Sequence, residues 1–136
     1  MPHQKAKQTK ITSMITKTIS VLIFAASWVT IANSQTAFQV TVKGKGDPIL
    51  FFPGFGCTAE VWDEAVAELS KTHQCHVFTF AGFGNVPPIE TPWLSQIKDE
   101  VIGYVKEKKL KKPILVGHSL GGTLSLWLAS LEKTMF

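Results

Sequence analysis

The 136-residue chain has no arginine, one tyrosine and two cysteines. Its 14 basic residues are all lysines, set against 10 acidic residues for a net charge of +4. Lys5, Lys7, Lys10 and Lys17 precede residue 35, so residues 35–136 carry ten charges of each sign and no surplus. The pI of about 9.1 therefore reflects the first residues and not nucleic-acid binding. Residues 106–112 are locally lysine-rich. They end and solvate a helix, with a phosphate or anionic-lipid patch as the alternative. With so few cysteines and four histidines, no His/Cys spacing supplies a metal site. No metal and no organic cofactor is expected. Cys57 and Cys75 do not form a disulfide, because a helix of about twelve residues holds their two ends nearly 20 Å apart. Internal repeats are absent as well.

What is present at the N-terminus is a targeting pattern. The four lysines form a basic leader, residues 19–32 are apolar with a few small polar interruptions, and Ala32-Asn33-Ser34 places small residues where a signal peptidase reads. Residues 1–34 are expected to be a signal peptide cleaved before Gln35, leaving an exported protein of residues 35–136 with no stable membrane partner. An uncleaved anchor is the alternative, though Ser20, Ser27 and Thr30 interrupt a core already short for a membrane span. No cysteine lies near the cleavage site to take a lipid.

Beyond residue 35 the chain alternates strand and helix patterns. Residues 38–42 alternate apolar and polar, and Gly44-Lys45-Gly46 is a turn into a strand over 49–52. In residues 58–69, Val61, Trp62, Ala65, Val66 and Leu69 fall on one helical face. Residues 76–80 form the next strand, followed by a loop marked by Gly82, Gly84, Pro87 and Pro88. Thr91 as N-cap and Pro92 in the first turn start a helix, along which Trp93, Leu94, Ile97, Val101, Ile102 and Val105 form one stripe. The short apolar run at 114–116 reads as a buried parallel strand. Residues 120–131 have high helix propensity and no breaker after Gly122. The expected fold is α/β, a parallel sheet with flanking helices joined by right-handed crossovers. Sites in such sheets lie at the carboxyl ends of the strands. The loop at Phe55, the loop at 82–88 and Ser119 all fall there.

Gly117-His118-Ser119-Leu120-Gly121 is a G-x-S-x-G pattern between that strand and that helix. In this setting it is a nucleophile elbow, a sharp turn that lifts a serine hydroxyl out of the backbone. A strand-to-helix turn that merely contains serine is the plain alternative. Gly117 and Gly121 supply the small residues that a tight turn and close helix–sheet approach demand. Ser119 would be the nucleophile and the Leu120 amide one donor to the developing oxyanion, helped by the helix dipole. Residues 48–56, Pro-Ile-Leu-Phe-Phe-Pro-Gly-Phe-Gly, form a second apolar run ending in a glycine turn, and the Phe55 amide is the candidate second donor. Phe55, Phe83 and Trp93 offer apolar walls, or else belong to a helix–sheet core.

Residues 38–136 resemble the α/β-hydrolase family. Pro53-Gly-Phe-Gly56 stands where that family often has H-G-x-x, and Gly117-His-Ser-Leu-Gly-Gly122 is one of its common elbow sequences. The departure is Pro53, where many members carry a histidine that supports the loop. The resemblance implies acyl transfer to water from a small-molecule ester, thioester or amide, and the N-terminal half of the family's fold. It also implies a triad acid and histidine after the nucleophile, yet no Asp and no His follows Ser119. His118 is expected to pack beneath the elbow, with a role as the base as the alternative; His73 and His76 are expected at the far end of the sheet, and Asp99 on an exposed helix face. The chain by itself is then expected to be inactive. A non-catalytic truncated gene product is the rival, and an open reading frame beyond Phe136 encoding Asp and then His would decide between them.

A second rival is nucleotide binding. Gly54-x-Gly56-x-x-Ala59 also matches a dinucleotide fingerprint, but that motif needs an acid at the end of the next strand, and residues 78–82 contain none.

Overall fold

The computed structural model describes residues 36–136. The expected signal peptide, residues 1–34, lies outside them. Among the described residues no helix is long and apolar enough to cross a membrane. The elements are β1 (Phe38–Lys43), β2 (Pro48–Phe52), a 3-10 turn (Ala59–Trp62) that runs into α1 (Asp63–Leu69), β3 (Gln74–Phe80), α2 (Trp93–Glu107), β4 (Ile114–Gly117) and α3 (Leu120–Leu131).

The four strands make one sheet in the order β1-β3-β2-β4. β2 is the hub and runs parallel to both β3 and β4, with Ile49 opposite Cys75 on one side and Ile114 on the other. β1 departs from the all-parallel expectation. It pairs antiparallel to β3, with Phe38 opposite Phe80 and Lys43 opposite Cys75. The turn at Gly44–Gly46 therefore does not close a hairpin; β3 inserts between the strands it joins. Gly44 has φ +79°, and a Cβ there would sit 2.2 Å from the His73 carbonyl oxygen, so this crossing needs glycine.

Both faces of β2 are covered, which is why all five of its residues are buried. Leu50 and Phe52 join Phe78, Phe80, Ile97, Val101, Val105, Leu124 and Leu128 under α2 and α3. Ile49 and Phe51 face the other way and meet Val66, Cys75 and Val77 under α1. Fully burying each of these large side chains contributes about 1.5–3 kcal/mol. β4 carries a similar apolar run, yet Ile114 is 51% exposed. The expected buried strand is the outer strand of the described sheet, and local sequence cannot distinguish the two positions.

Two helical expectations need correction. Residues 58–69 do not form one helix. The 3-10 turn has about three residues per turn, which rotates Val61 off the buried face and leaves it 52% exposed, while Trp62, Ala65, Val66 and Leu69 still pack inward. The helix α2 is capped by Pro92 and not by Thr91: Pro92 keeps an extended ψ of 103°, so the helix starts one residue later and no side chain caps it. Its stripe is as expected, with Ile97, Val101 and Val105 buried and Trp93, Leu94 and Ile102 leaning on the core. Cys57 and Cys75 are both free thiols.

Candidate active site

The site begins with the turn from β4 into α3. Ser119 has φ +52° and ψ −114°, a conformation that L-residues rarely hold. Packing on both sides holds it there. A Cβ on Gly117 would lie 2.3 Å from the Gly121 carbonyl, and one on Gly121 would lie 2.1 Å from the Phe52 carbonyl oxygen. The two glycines let α3 close onto the ends of β4 and β2. Hydrogen bonds complete the turn: His118 N–H donates to the Phe52 carbonyl at 3.1 Å, Gly121 N–H to the His118 carbonyl at 2.9 Å, and Thr123 N–H to the Ser119 carbonyl at 3.1 Å. Leu124 and Leu128 anchor the helix in the core. The Ser119 side chain is exposed. Leu120 opens α3, so its amide belongs to the first turn, where an α-helix has no acceptor for it.

The second loop lies directly against the elbow. Pro53 is buried, and Cys57 N–H closes a turn on the Gly54 carbonyl at 3.1 Å. A Cβ on Gly54 would stand 2.8 Å from Nδ1 of His118. His118 is thus exposed at the mouth of the site with its ring over Gly54, not packed beneath the elbow as expected. The backbone explains the difference: the room beneath the turn is filled by Gly121 and the Phe52 carbonyl. Phe55, next along, is 76% exposed.

The third loop follows β3. Phe83 N–H bonds the Phe80 carbonyl, and Gly82 and Gly84 take positive φ. Its Phe83 ring meets Phe55 edge-on at 5.1 Å between centroids and Trp93 at 5.5 Å. Trp93 in turn meets buried Phe80 at 5.9 Å and donates its indole N–H to the Ala81 carbonyl at 2.9 Å. Ser119, Leu120, Phe55, Gly117 and Gly121 are therefore gathered at the carboxyl ends of β2, β3 and β4. At the third position of the dinucleotide fingerprint, the Ala59 N–H is taken by Thr79 Oγ1 at 2.9 Å.

The remaining titratable groups lie elsewhere. His76 is 2% exposed near the amino end of β3. Its Nδ1 is 2.7 Å from the Tyr104 hydroxyl and its Nε2 3.1 Å from Gln74 Oε1. Gln74 Oε1 can only accept, so Nε2–H donates to it and Nδ1 accepts from Tyr104. Burial lowers the pKa of His76, and burial and the neighbouring Glu107 raise that of Tyr104. Sequence reasoning missed this bridge between β3 and α2, because its partners are 28 residues apart. Among the described residues no group of three His, Cys, Asp or Glu side chains could hold a metal ion, and no hydrogen bond joins Ser119 Oγ to a histidine or carboxylate.

The model of the alpha/beta hydrolase family matches residues 49–134, which spans both glycine turns. The Abhydrolase domain-containing protein abhd-5.2 of Caenorhabditis elegans is 33% identical over 102 residues, covering 71% of this chain and 22% of that protein. The 3-oxoadipate enol-lactonase 1 of Acinetobacter baylyi is 24% identical over 98 residues, covering 72% of this chain and 37% of the enzyme. Among solved structures, E-2-(acetamidomethylene)succinate hydrolase superposes with a TM-score of 0.67 at 27% identity, over 72% of this chain and 37% of that one. The chain thus spans between a fifth and two fifths of the length of these relatives. With the family model matched over more than half of its length, across both glycine turns, the chain belongs to the alpha/beta hydrolase family.

Proposed function

We propose that this chain carries the nucleophile and oxyanion half of a serine hydrolase site acting on esters, thioesters or amides. The observation that supports it most is the backbone of Ser119. A positive φ at a serine costs on the order of 1–3 kcal/mol, and here it is maintained by two glycines with no room for a side chain. The exposed hydroxyl stands at the first turn of α3, beside the Leu120 amide. The loop bearing the Phe55 amide touches the residue before the serine.

In the reaction the substrate carbonyl oxygen lies between the amides of Leu120 and Phe55. Ser119 Oγ attacks the carbonyl carbon, its proton passing to a general base. The C=O π electrons move onto the oxygen, where the two N–H groups stabilise the charge. Collapse expels the protonated leaving group and leaves an acyl-serine, which water then cleaves by the same steps. The family resemblance assigns the base to a histidine held by an acid, both later than the nucleophile. Residues 36–136 bring no such pair to Ser119, so turnover is assigned to the site completed by them and none to these residues alone.

The test is a fluorophosphonate probe and a p-nitrophenyl ester assay on a complete parent enzyme. Label on Ser119 and loss of turnover in Ser119→Ala, with an unchanged circular dichroism spectrum, are expected; full activity in that variant refutes the assignment. Export is part of the same proposal. Ala37 is fully buried and its N–H is held by Glu100 at 2.8 Å, so cleavage before Gln35 would leave the first strand intact. N-terminal sequencing of exported protein should begin at Gln35. A retained Met1 in membrane pellets would favour the anchor.

A further inference from the structure

Three segments surround Ser119: residues 53–59 after β2, residues 81–89 after β3, and residues 117–131 from the elbow through α3. None contains an aspartate, glutamate or lysine, and the chain has no arginine. They are joined by direct contact, Gly54 against His118 and Phe55 against Phe83. Phe55, at 76% exposed, is the outer end of a row of four rings. The row runs through Phe83 and Trp93 to Phe80 at 0% exposure, and each step is an edge-to-face contact. The Trp93 indole bond to Ala81 roots it in the sheet. An aromatic ring is therefore held out in water beside the turn by other rings; Glu60 and Glu90 follow directly on the first two segments, and Lys98 lies over the Trp127 ring of the third.

We infer that this row receives the apolar, ring-bearing part of an uncharged carbonyl substrate, and that Phe55 and Phe83 select for it. The inference rests on the reading of Ser119 and the Phe55 amide given above, since the amide and ring of one residue then serve the carbonyl and its substituent together. Edge-to-face pairing with Phe55 and Phe83 favours an aryl group. A carboxylate on the same substrate would surrender its water where these walls offer no cation in return.

The experiment is an NMR titration of this chain with three ketones, which present a carbonyl but cannot be cleaved. Butyrophenone is uncharged and carries a ring, 4-oxo-4-phenylbutanoate adds a carboxylate, and 2-pentanone has no ring. The titration is run at a concentration where the chain is monomeric, or in the Leu126→Lys variant. Butyrophenone is expected to shift the ring signals of Phe55 and Phe83 and the Trp93 indole N–H. The carboxylated ketone is expected to bind at least about tenfold more weakly. Phe55→Ala, at an exposed position that does not threaten the fold, should weaken butyrophenone about fivefold. Equal binding of the two aryl ketones, shifts away from the row, or undiminished binding to Phe55→Ala each overturn the inference. The amides of Phe55 and Leu120 report on the underlying reading separately. Ring shifts without amide shifts support the wall and refute the oxyanion assignment. Amide shifts as large with 2-pentanone as with butyrophenone support the assignment and overturn the wall.

Discussion

The two ends of the sheet are built from different chemistry. At the amino end lie the charged turns: Lys43, Lys45 and Asp47 before β2, Lys71 before β3, and Lys108, Lys109, Lys111 and Lys112 before β4. There a buried histidine is satisfied on both ring nitrogens. At the carboxyl end the loops are glycine-rich and carry one charged residue, Glu90, an aromatic ring stands in water, and a serine is held at positive φ. One end satisfies its polar groups inside the fold. The other leaves amides, a hydroxyl and a ring unspent. On the proposed function, stability and reactivity are separated along the strands, and substitutions at the two ends should have separable effects.

The largest expected effect belongs to the carboxyl end. In a complete parent enzyme, Ser119→Ala should reduce ester turnover by several orders of magnitude with no loss of thermal stability. The hydroxyl makes no hydrogen bond within the described residues, and its removal relieves nothing inside the core. A variant that unfolds as it loses activity would break the separation.

Gly121→Ala should cross the divide. Its new Cβ would lie 2.1 Å from the Phe52 carbonyl oxygen, which already accepts from His118 N–H. Neither backbone can yield without shifting α3 or β2. A loss of about 3 kcal/mol is expected, together with loss of the Ser119 label. Gly56→Ala is the control: nothing lies within 4 Å of its Cβ position, but its φ is +74°, so only about 1 kcal/mol of backbone strain is expected. Urea unfolding of the two variants compares them directly, and equal midpoints would show that the jammed contact is relieved without cost.

The edge of β4 gives a third contrast, with β2. The two strands are neighbours in register, yet Ile49 is buried and its partner Ile114 is 51% exposed. Leu126, 76% exposed, lines the same open cavity as Ile114 at the unpaired edge of the described sheet. Such an edge invites pairing with another copy, and residues 35–136 carry no net charge to oppose it. These residues expressed alone should elute from size exclusion as oligomers or aggregates, and Leu126→Lys should shift them toward the monomer. A monomer without the substitution would show the edge to be protected.

These contrasts also mark what the sequence discloses. The helix at 120–131 and the strands at 49–52 and 114–116 follow from apolar runs and the glycines and prolines that stop them, which are local signals. The turn at Ser119 is legible because a sharp strand-to-helix turn demands small residues at fixed spacing around it. Non-local facts were hidden. Nothing in residues 38–42 says that β3, over thirty residues later, is their antiparallel partner. Nothing in 114–116 says that one side of the strand is open. The side on which the His118 ring lies depends on where Gly54 arrives, and the partner of His76 depends on how α2 docks.

The smallest expected effect lies at the amino end, in the pH dependence of stability. His76 is neutral when folded, with Nδ1 accepting from Tyr104 and Nε2–H donating to Gln74. Burial holds its pKa below the ordinary 6.5. Between that depressed value and 6.5 the unfolded chain binds more protons than the folded one, so acid favours unfolding. The contribution of His76 is complete above pH 6.5 and is lost as the pH falls through the folded pKa, with a slope of at most about 1.4 kcal/mol per pH unit for one proton. Tyr104, whose pKa is raised, keeps its proton throughout and adds nothing in this window. Denaturant midpoints from pH 7.5 down to pH 5 should fall in the wild-type chain. His76→Leu combined with Tyr104→Phe removes the titrating ring without orphaning the hydroxyl, and should flatten the upper part of that curve. An identical slope in the double variant would mean that another group sets the acid sensitivity, and that the amino end is not where this fold responds to pH.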